Sequence, residues 1–119
     1  MKPRDKKMLD VGRTMTDLIT FEKKRESLPV DDLHDFTQYI KIFGEVSTYR
    51  TKLVNQARAE NTKKYIVIRV RSRDDLEETM QMIVKKEKYH IESIEPLSQE
   101  NLYLEITGYR YMNDMVGSI

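Results

Sequence analysis

The chain has 119 residues, of which 39% are hydrophobic and 34% charged, with a formal net charge of +1 and no cysteine. This composition indicates one globular domain over residues 1–119 and excludes an intrinsically disordered chain, a disulfide scaffold and thiolate catalysis. No apolar stretch reaches the roughly 18 residues that span a membrane, and no signal-peptide core follows the basic residues 1–7, so we expect a cytoplasmic protein with no membrane partner.

Residues 1–62 are predicted to form a helical part, which begins with a helix that ends near the Ser-Leu-Pro-Val segment at 27–30. The apolar residues that recur on one face of this helix are Met8, Val11, Met15 and Leu18. Gly12 lies inside the stripe, where glycine costs about 1 kcal/mol relative to alanine.

A second helix is predicted from Asp31 or Asp32, either of which can cap it, to about residue 61. Its apolar residues form two seams. One seam comprises Leu33, Phe36, Ile40 and Phe43, and the other comprises Tyr39, Ile42, Val46, Tyr49 and Leu53. Such a helix would span roughly 45 Å, so either Gly44 interrupts it or its far end finds a partner. We predict self-association through the second seam; the alternative is that both seams belong to the core.

Residues 63–111 are predicted to form a βαββ unit. Its first strand covers residues 65–71, where Ile66, Ile68 and Val70 alternate with outward residues. A helix follows, because Ser72 and Asp75 resemble a capping box and lysines occupy the last turn. The apolar residues of this helix, at the spacing of one face, are Leu76, Met80, Ile83 and Val84.

Two further strands are predicted over residues 89–95 and 102–109. Ile91 and Ile94 would point to opposite faces of the first of these, unless a bulge or an edge position reconciles them. Pro96 should follow the end of that strand, because proline cannot donate to a ladder. With a right-handed crossover the third strand lies in the middle. The predicted fold class is therefore α+β: two N-terminal helices and a half-ferredoxin-like, three-stranded split βαβ sheet. Residues 112–119 form either a docking helix or a frayed tail.

Charge is strongly segregated along the chain. Residues 50–73 carry a net +7, whereas residues 74–78 hold four acids and no base. The basic and aromatic side chains that could form a stacking platform for nucleic acid are Arg50, Lys63, Lys64, Tyr65, Arg69, Arg71 and Arg73. The alternative is that the N-terminal helices cover the outward face of the first strand, which would place Tyr65 in the core.

Few residues point to catalysis or to a bound metal or cofactor. His34 and His90 are the only histidines, and their neighbours favour surface roles. The carboxylates at residues 74–78 are explained by a helix N-terminus rather than by a metal site. Glu22 and Lys24 match the end of a nuclease motif without its other members. We therefore expect no enzyme activity, no metal and no cofactor.

The sequence favours a non-enzymatic interaction or regulatory protein that acts as a homodimer. The alternative hypothesis is a nucleic-acid-binding protein that uses the basic stretch 50–73. Neither hypothesis identifies a protein partner or a pathway.

Overall fold

The computed structural model describes residues 15–24, 36–58, 62–97 and 102–112. Within these ranges it contains six strands and one helix. They are β1 (Asp17–Lys24), β2 (Phe36–Val46), α1 (Thr48–Arg58), β3 (Lys63–Arg71), β4 (Gln81–Val84), β5 (Glu87–Pro96) and β6 (Tyr103–Tyr111). The strands form a closed barrel in the order β1-β2-β3-β6-β5-β4, and every neighbouring pair is antiparallel.

The predicted α+β fold class, with its half-ferredoxin-like sheet, is wrong. Residues 17–24 and 36–46, assigned to two helices, are strands β1 and β2. Ile19 and Phe21 are fully buried two residues apart, and Ile40 and Ile42 pack inward at the same period. β-Branched and aromatic residues favour such strands over helices. The later part of the second predicted helix is helical, over Thr48–Arg58. Residues 1–14, 25–35 and 59–61 of the predicted helices lie outside the described residues, as do residues 113–119 of the predicted tail.

The predicted crossover helix is also wrong. Its apolar residues Met80, Met82 and Val84 are buried at alternate positions, and residues 81–84 form β4. Lys85 and Lys86 then make the turn to β5 with φ angles of 51° and 70°. Two successive positive φ values are typical of a two-residue hairpin turn, for which Asn-Gly is the usual signal. Because Lys85 and Lys86 occupy these positions, the sequence does not indicate the turn.

The three predicted strands of the C-terminal half are confirmed. β6 lies between β3 and β5, as expected, and a register shift between Ile91 and Ser93 supplies the bulge that brings Ile91 and Ile94 to the same face. Pro96 still pairs with Leu104, so β5 ends at the proline rather than before it.

The barrel interior is the hydrophobic core. Its largest fully buried aliphatic and aromatic residues include Ile19, Phe21, Ile68, Met82 and Ile106. These five residues come from four strands, β1, β3, β4 and β6, so the core is held together by long-range contacts. No helix of the described residues is long and apolar enough to cross a membrane.

Helix α1 covers the outer face and the free edge of β3. The Asn55 carboxamide receives the Tyr65 N–H at 2.9 Å and donates to the Tyr65 carbonyl at 3.0 Å. The Thr51 hydroxyl receives the Val67 N–H at 2.9 Å. These side chains take the place of strand pairing at this edge, since among the residues that the structure describes β2 pairs with β3 only at residues 44–46. Tyr65 and Val67 consequently become core residues.

Candidate interaction surfaces

An exposed apolar pair lies on the outer wall of the barrel where β1 meets β2. Leu18 and Phe43 are direct cross-strand partners, and they are 48% and 61% exposed. Their chain neighbours Ile19 and Ile42 pack inward. Two consecutive apolar residues in a strand must place one on each face. The two consecutive apolar residues in each strand were the sequence signal for an outward apolar surface. This signal is lost when the segments are interpreted as helices.

A groove of about 500 Å³ adjoins this pair. Its lining residues are Met15, Ile42, Phe43, Arg71, Ser72 and Arg73. Arg71 is exposed and lies 5.9 Å from the centre of the Tyr103 ring. The groove therefore has apolar walls beside guanidinium groups. We call the Leu18–Phe43 pair and this groove the apolar surface.

A charged network holds the loop between β3 and β4 beside the apolar surface. Arg73 donates to both carboxylate oxygens of Asp75 at 2.9 and 2.8 Å, and the Tyr39 hydroxyl donates to Asp75 at 2.8 Å. The hydrogen bonds from Arg73, and then from Tyr39, hold the pKa of the Asp75 carboxyl well below its usual range. The same contact with Asp75 raises the pKa of Tyr39. The loop is thereby tied to β2.

The predicted basic residues do not form one platform. Arg50 pairs with Glu105 at 3.3 Å, Arg69 with Glu45 at 3.9 Å, and Arg73 with Asp75. Tyr65 is buried beneath α1. Lys64 and Arg71 are exposed near opposite ends of β3. Acidic partners on β2 and β6 and in the loop after β3 thus compensate part of the charge that is concentrated in residues 50–73.

Aromatic rings cluster at the other end of the barrel wall, where the described part of β6 ends. The His90 ring lies 5.2 Å from that of Tyr109 and 6.1 Å from that of Tyr111. The Lys63 ammonium lies 4.6 Å from the Tyr109 ring centre. Desolvation, and then the neighbouring Tyr111, raise the pKa of Tyr109. His90 thus packs against tyrosines, consistent with the surface role predicted for it.

A second groove, of about 310 Å³, lies between α1 and this end of the barrel. Its lining residues are Val46, Thr48, Thr51, Lys52, Lys64, Tyr65, Ile66 and Tyr89. The exposed Lys52 and Lys64 stand beside largely buried apolar residues. We call this cavity the helix groove.

The residues predicted to mediate self-association are divided between two elements. Tyr39, Ile42 and Val46 lie on β2, where Ile42 and Val46 pack against the core. Tyr49 and Leu53 lie on α1, and Tyr49 is 71% exposed. The five do not form the continuous seam of one helix. Their role in self-association stays a prediction.

The described residues contain no group of three or more histidine, aspartate or glutamate side chains placed to hold a metal ion. His34 lies outside the described residues.

A family model described as phage head completion protein matches residues 13–108. This range includes β1 to β5, α1 and the first six residues of β6. The chain belongs to the phage head completion protein family. A comparison with curated proteins finds no match. This family is one of phage structural proteins, which agrees with the expectation of a non-enzymatic role.

Family membership corrects the functional interpretation. The hypothesis of a regulatory protein and the alternative of a nucleic-acid-binding protein are both wrong, since the family is one of phage structural proteins. Four of the eight bases in the stretch that suggested nucleic acid, Arg50, Arg58, Arg69 and Arg73, form internal ion pairs. Partners are instead expected among the components of the phage particle.

Proposed function

We propose that the chain completes the phage head as a structural component, by binding other head or tail proteins in the cytoplasm of the infected cell. The observation that carries this proposal is the family match over residues 13–108. The barrel supplies a rigid body, and its outer wall supplies the contacts.

We propose the apolar surface as the site of this binding. Phe43 is a large aromatic side chain that is 61% exposed, beside Leu18 and next to Arg71 and Arg73. Aromatic and arginine side chains at pockets are the groups that most often dominate the free energy of protein–protein association. Neither exposed apolar side chain of the Leu18–Phe43 pair is needed to fill the core, since Ile19 and Ile42 already point inward.

The proposal is tested by complementation in a phage whose own copy of this gene is deleted. The chain is supplied from a plasmid as wild type, as the double variant Leu18→Asp/Phe43→Asp, or as Met112→Asp. Met112 is also exposed and apolar, at 38%, but lies beyond β6 at the other end of the barrel. The double variant should lose roughly 2 kcal/mol or more of binding free energy, a factor of about thirty in affinity.

We expect wild type and Met112→Asp to restore infectious particles, and the double variant to leave heads that electron micrographs show without attached tails. The folding of each variant is checked by circular dichroism and urea unfolding. Full restoration by a folded double variant would exclude the apolar surface as the binding site. Normal particles in the absence of any copy of the chain would overturn the proposed function itself.

A further inference from the structure

The helix groove opens at the end of the barrel where β3 begins. Lys64 precedes the inward-facing Ile66 and Ile68 at alternate positions, so it lies at the mouth of the barrel. Its cross-strand partner on β6 is Arg110, whose guanidinium group lies 5.8 Å from the centre of the Tyr89 ring. Ile66 and Tyr89 also line the groove. The groove is therefore a barrel mouth with apolar walls.

Positive charge surrounds this mouth. Lys52 and Lys64 are exposed, line the groove and form no ion pair with another residue of the described ranges. Arg110 adds a third cation, and its buried Nε atom donates to no acceptor in the parts of the chain that the structure describes. Glu87 pairs with Arg110 at 2.8 Å and so balances one of the three charges. Desolvation opposes the ionised form of Glu87, but hydrogen bonds with Arg110 and Tyr89 and the charge of Lys64 lower its pKa, which places Lys64 beside the same pair.

The first turn of α1 acts in the same direction as the lysines. It contributes Thr48 and Thr51 to the lining of the groove and contains no acidic residue. The N–H groups at the start of a helix carry a partial positive charge that favours a nearby anion. The groove thus has a positive potential on the side of the helix as well as on the side of the barrel.

The turn between β4 and β5 places two further lysines at this end of the barrel. Tyr109 pairs with Tyr65 of β3 and with His90 of β5, so the first residues of both strands lie together. Lys85 and Lys86 precede β5 and have φ angles of 51° and 70°. Asparagine or glycine would adopt these angles at a lower cost in conformational free energy. Cations in a turn that suits uncharged residues better indicate a role for their charge.

A partner for this mouth must present acidic groups beside apolar atoms. The volume of about 310 Å³ is at the lower limit of the range of roughly 300–1,000 Å³ for ligand pockets, so the groove suits one or two side chains. Phosphate groups alone would meet the lysines and leave the apolar walls of Ile66 and Tyr89 uncovered. An aliphatic side chain with carboxylates next to it in sequence matches both the walls and the margin.

We infer that the helix groove binds an acidic, apolar peptide segment of another protein of the phage particle. An aliphatic side chain of this segment lies between Ile66 and Tyr89, and the neighbouring carboxylates pair with Lys52 and Lys64. The groove is separate from the apolar surface, which adjoins Arg71 at the opposite end of β3. This inference rests on the proposed function, since family membership is what makes a phage protein the partner.

The inference is tested with a short fluorescent peptide of alternating glutamate and leucine whose two ends are blocked. Fluorescence anisotropy compares it with a glutamate–serine peptide, a lysine–leucine peptide and a single-stranded thymidine oligonucleotide. We expect the wild type to bind the glutamate–leucine peptide at least about tenfold more tightly than the other three probes. No binding of this peptide up to about 1 mM, or equally tight binding of any other probe, would overturn the inference.

Reversing the lysines tests the ionic part of the contact. Lys52→Glu/Lys64→Glu should weaken binding of the glutamate–leucine peptide at least about tenfold, because two attractive pairs become repulsive. The same variant should gain affinity for the lysine–leucine peptide, a result that unfolding does not produce. The matched control Lys24→Glu/Lys41→Glu makes the same charge change at exposed positions of β1 and β2 and should bind like the wild type. Equal affinities of the two variants, or no gain for the lysine–leucine peptide, would contradict the proposed contact.

Filling the groove tests the apolar part of the contact. Thr48 is exposed and lines the groove, so tryptophan at this position occupies the space without changing the charge. Thr48→Trp should weaken binding of the glutamate–leucine peptide at least about tenfold. The neighbouring Tyr49 is 71% exposed and is not part of the lining, so Tyr49→Trp is the matched control. If both variants bind the peptide like the wild type, the peptide does not enter the groove and the inference fails.

Complementation separates this inference from the proposed function. In the deleted phage described above, Lys52→Glu/Lys64→Glu should fail to restore infectious particles, whereas the wild type should restore them. Restoration by both chains, with the variant shown to be folded by circular dichroism, would overturn the inference and leave the proposed function standing. Normal particles in the absence of any copy would overturn the proposed function, whereas the peptide measurements would still report on the groove.

Discussion

At the scale of single residues, Asp75 joins two segments that are distant in sequence. Its carboxylate receives hydrogen bonds from Arg73 in its own loop and from Tyr39 on β2. Because these donors favour the ionised form, the pKa of Asp75 is lowered in the folded protein. The sequence indicated a helix cap at this position, since Ser72 and Asp75 have the matching spacing. The acid instead serves a tertiary contact whose partner Tyr39 cannot be identified from local spacing.

The lowered pKa of Asp75 predicts a pH dependence of stability with a definite sign. A carboxyl with a depressed pKa stabilises the fold above its unfolded value, about 3.9, and this contribution is lost as the pH falls through the folded pKa. We expect Asp75→Asn to unfold at a lower temperature than the wild type at pH 7, and the difference to shrink below about pH 4. The control Asp74→Asn changes an exposed neighbour that forms no hydrogen bond with another described residue. A difference between wild type and Asp75→Asn that is constant from pH 7 to pH 2 would contradict the assignment.

At the scale of elements, sequence periodicity identified the strands whose apolar residues alternate without interruption. β3 and β6 have this pattern, and β5 follows it with one bulge. The apolar residues of β1, β2 and β4 also fit a helical spacing, and the sequence therefore predicts helices where the structure has strands. Leu18 and Phe43 are apolar although they point outward, and Phe43 follows the inward Ile42 directly. These extra apolar residues break the strict alternation of a strand and produce the spacing of a helix. Only pairing with distant strands decides between the two periods, and a single sequence does not display that pairing.

The candidate surfaces, like the strands, could be predicted only where they do not depend on strand pairing. The outward direction of Arg69 and Arg71 on β3 followed from alternation. The neutralisation of Arg69 by Glu45 and of Arg50 by Glu105 depends on strand order, which was not predicted. The helical interpretation places Phe43 in an apolar seam, whereas in a strand its position next to Ile42 predicts one residue on each face, as observed.

Helix α1 protects one edge of β3, and this role predicts the effect of a substitution in the helix. Asn55 satisfies the backbone N–H and carbonyl of Tyr65 at the edge of β3, where no strand of the described ranges pairs. Asn55→Leu keeps a side chain of similar size and leaves both groups without this partner, so we expect a loss of roughly 1–3 kcal/mol of unfolding free energy. An exposed strand edge also promotes aggregation. Urea unfolding and light scattering measure the two effects, with Gln56→Leu on the exposed side of α1 as the matched control. Equal stability of the two variants would show that α1 does not protect this edge.

At the scale of the whole molecule, the barrel closes because β2 changes its partners along its length. Residues 36–44 pair with β1, and residues 44–46 pair with β3. Gly44 is the residue at which both pairings meet, opposite Asp17 on one side and Val70 on the other. A Cβ atom at this position would lie 2.7 Å from the Arg69 carbonyl oxygen and 2.8 Å from a Val70 methyl. Glycine is thus required by the close approach of strands rather than by an interruption of a helix.

This geometry predicts unequal effects of alanine at the two glycines buried in the barrel wall. At Gly44 the added methyl meets a backbone oxygen and the branched side chains of Ile19 and Val70, which cannot withdraw without moving the strands. At Gly108 the nearest atom is the terminal methyl of Met82, a flexible side chain that can rotate away, although the His90 carbonyl lies at 3.0 Å. We expect Gly44→Ala to lose about 1–3 kcal/mol of unfolding free energy, and Gly108→Ala to lose less. Urea unfolding of both variants measures the difference. A larger loss at Gly108 would mean that the junction at Gly44 tolerates displacement, and that barrel closure does not depend on the close contact between β2 and β3.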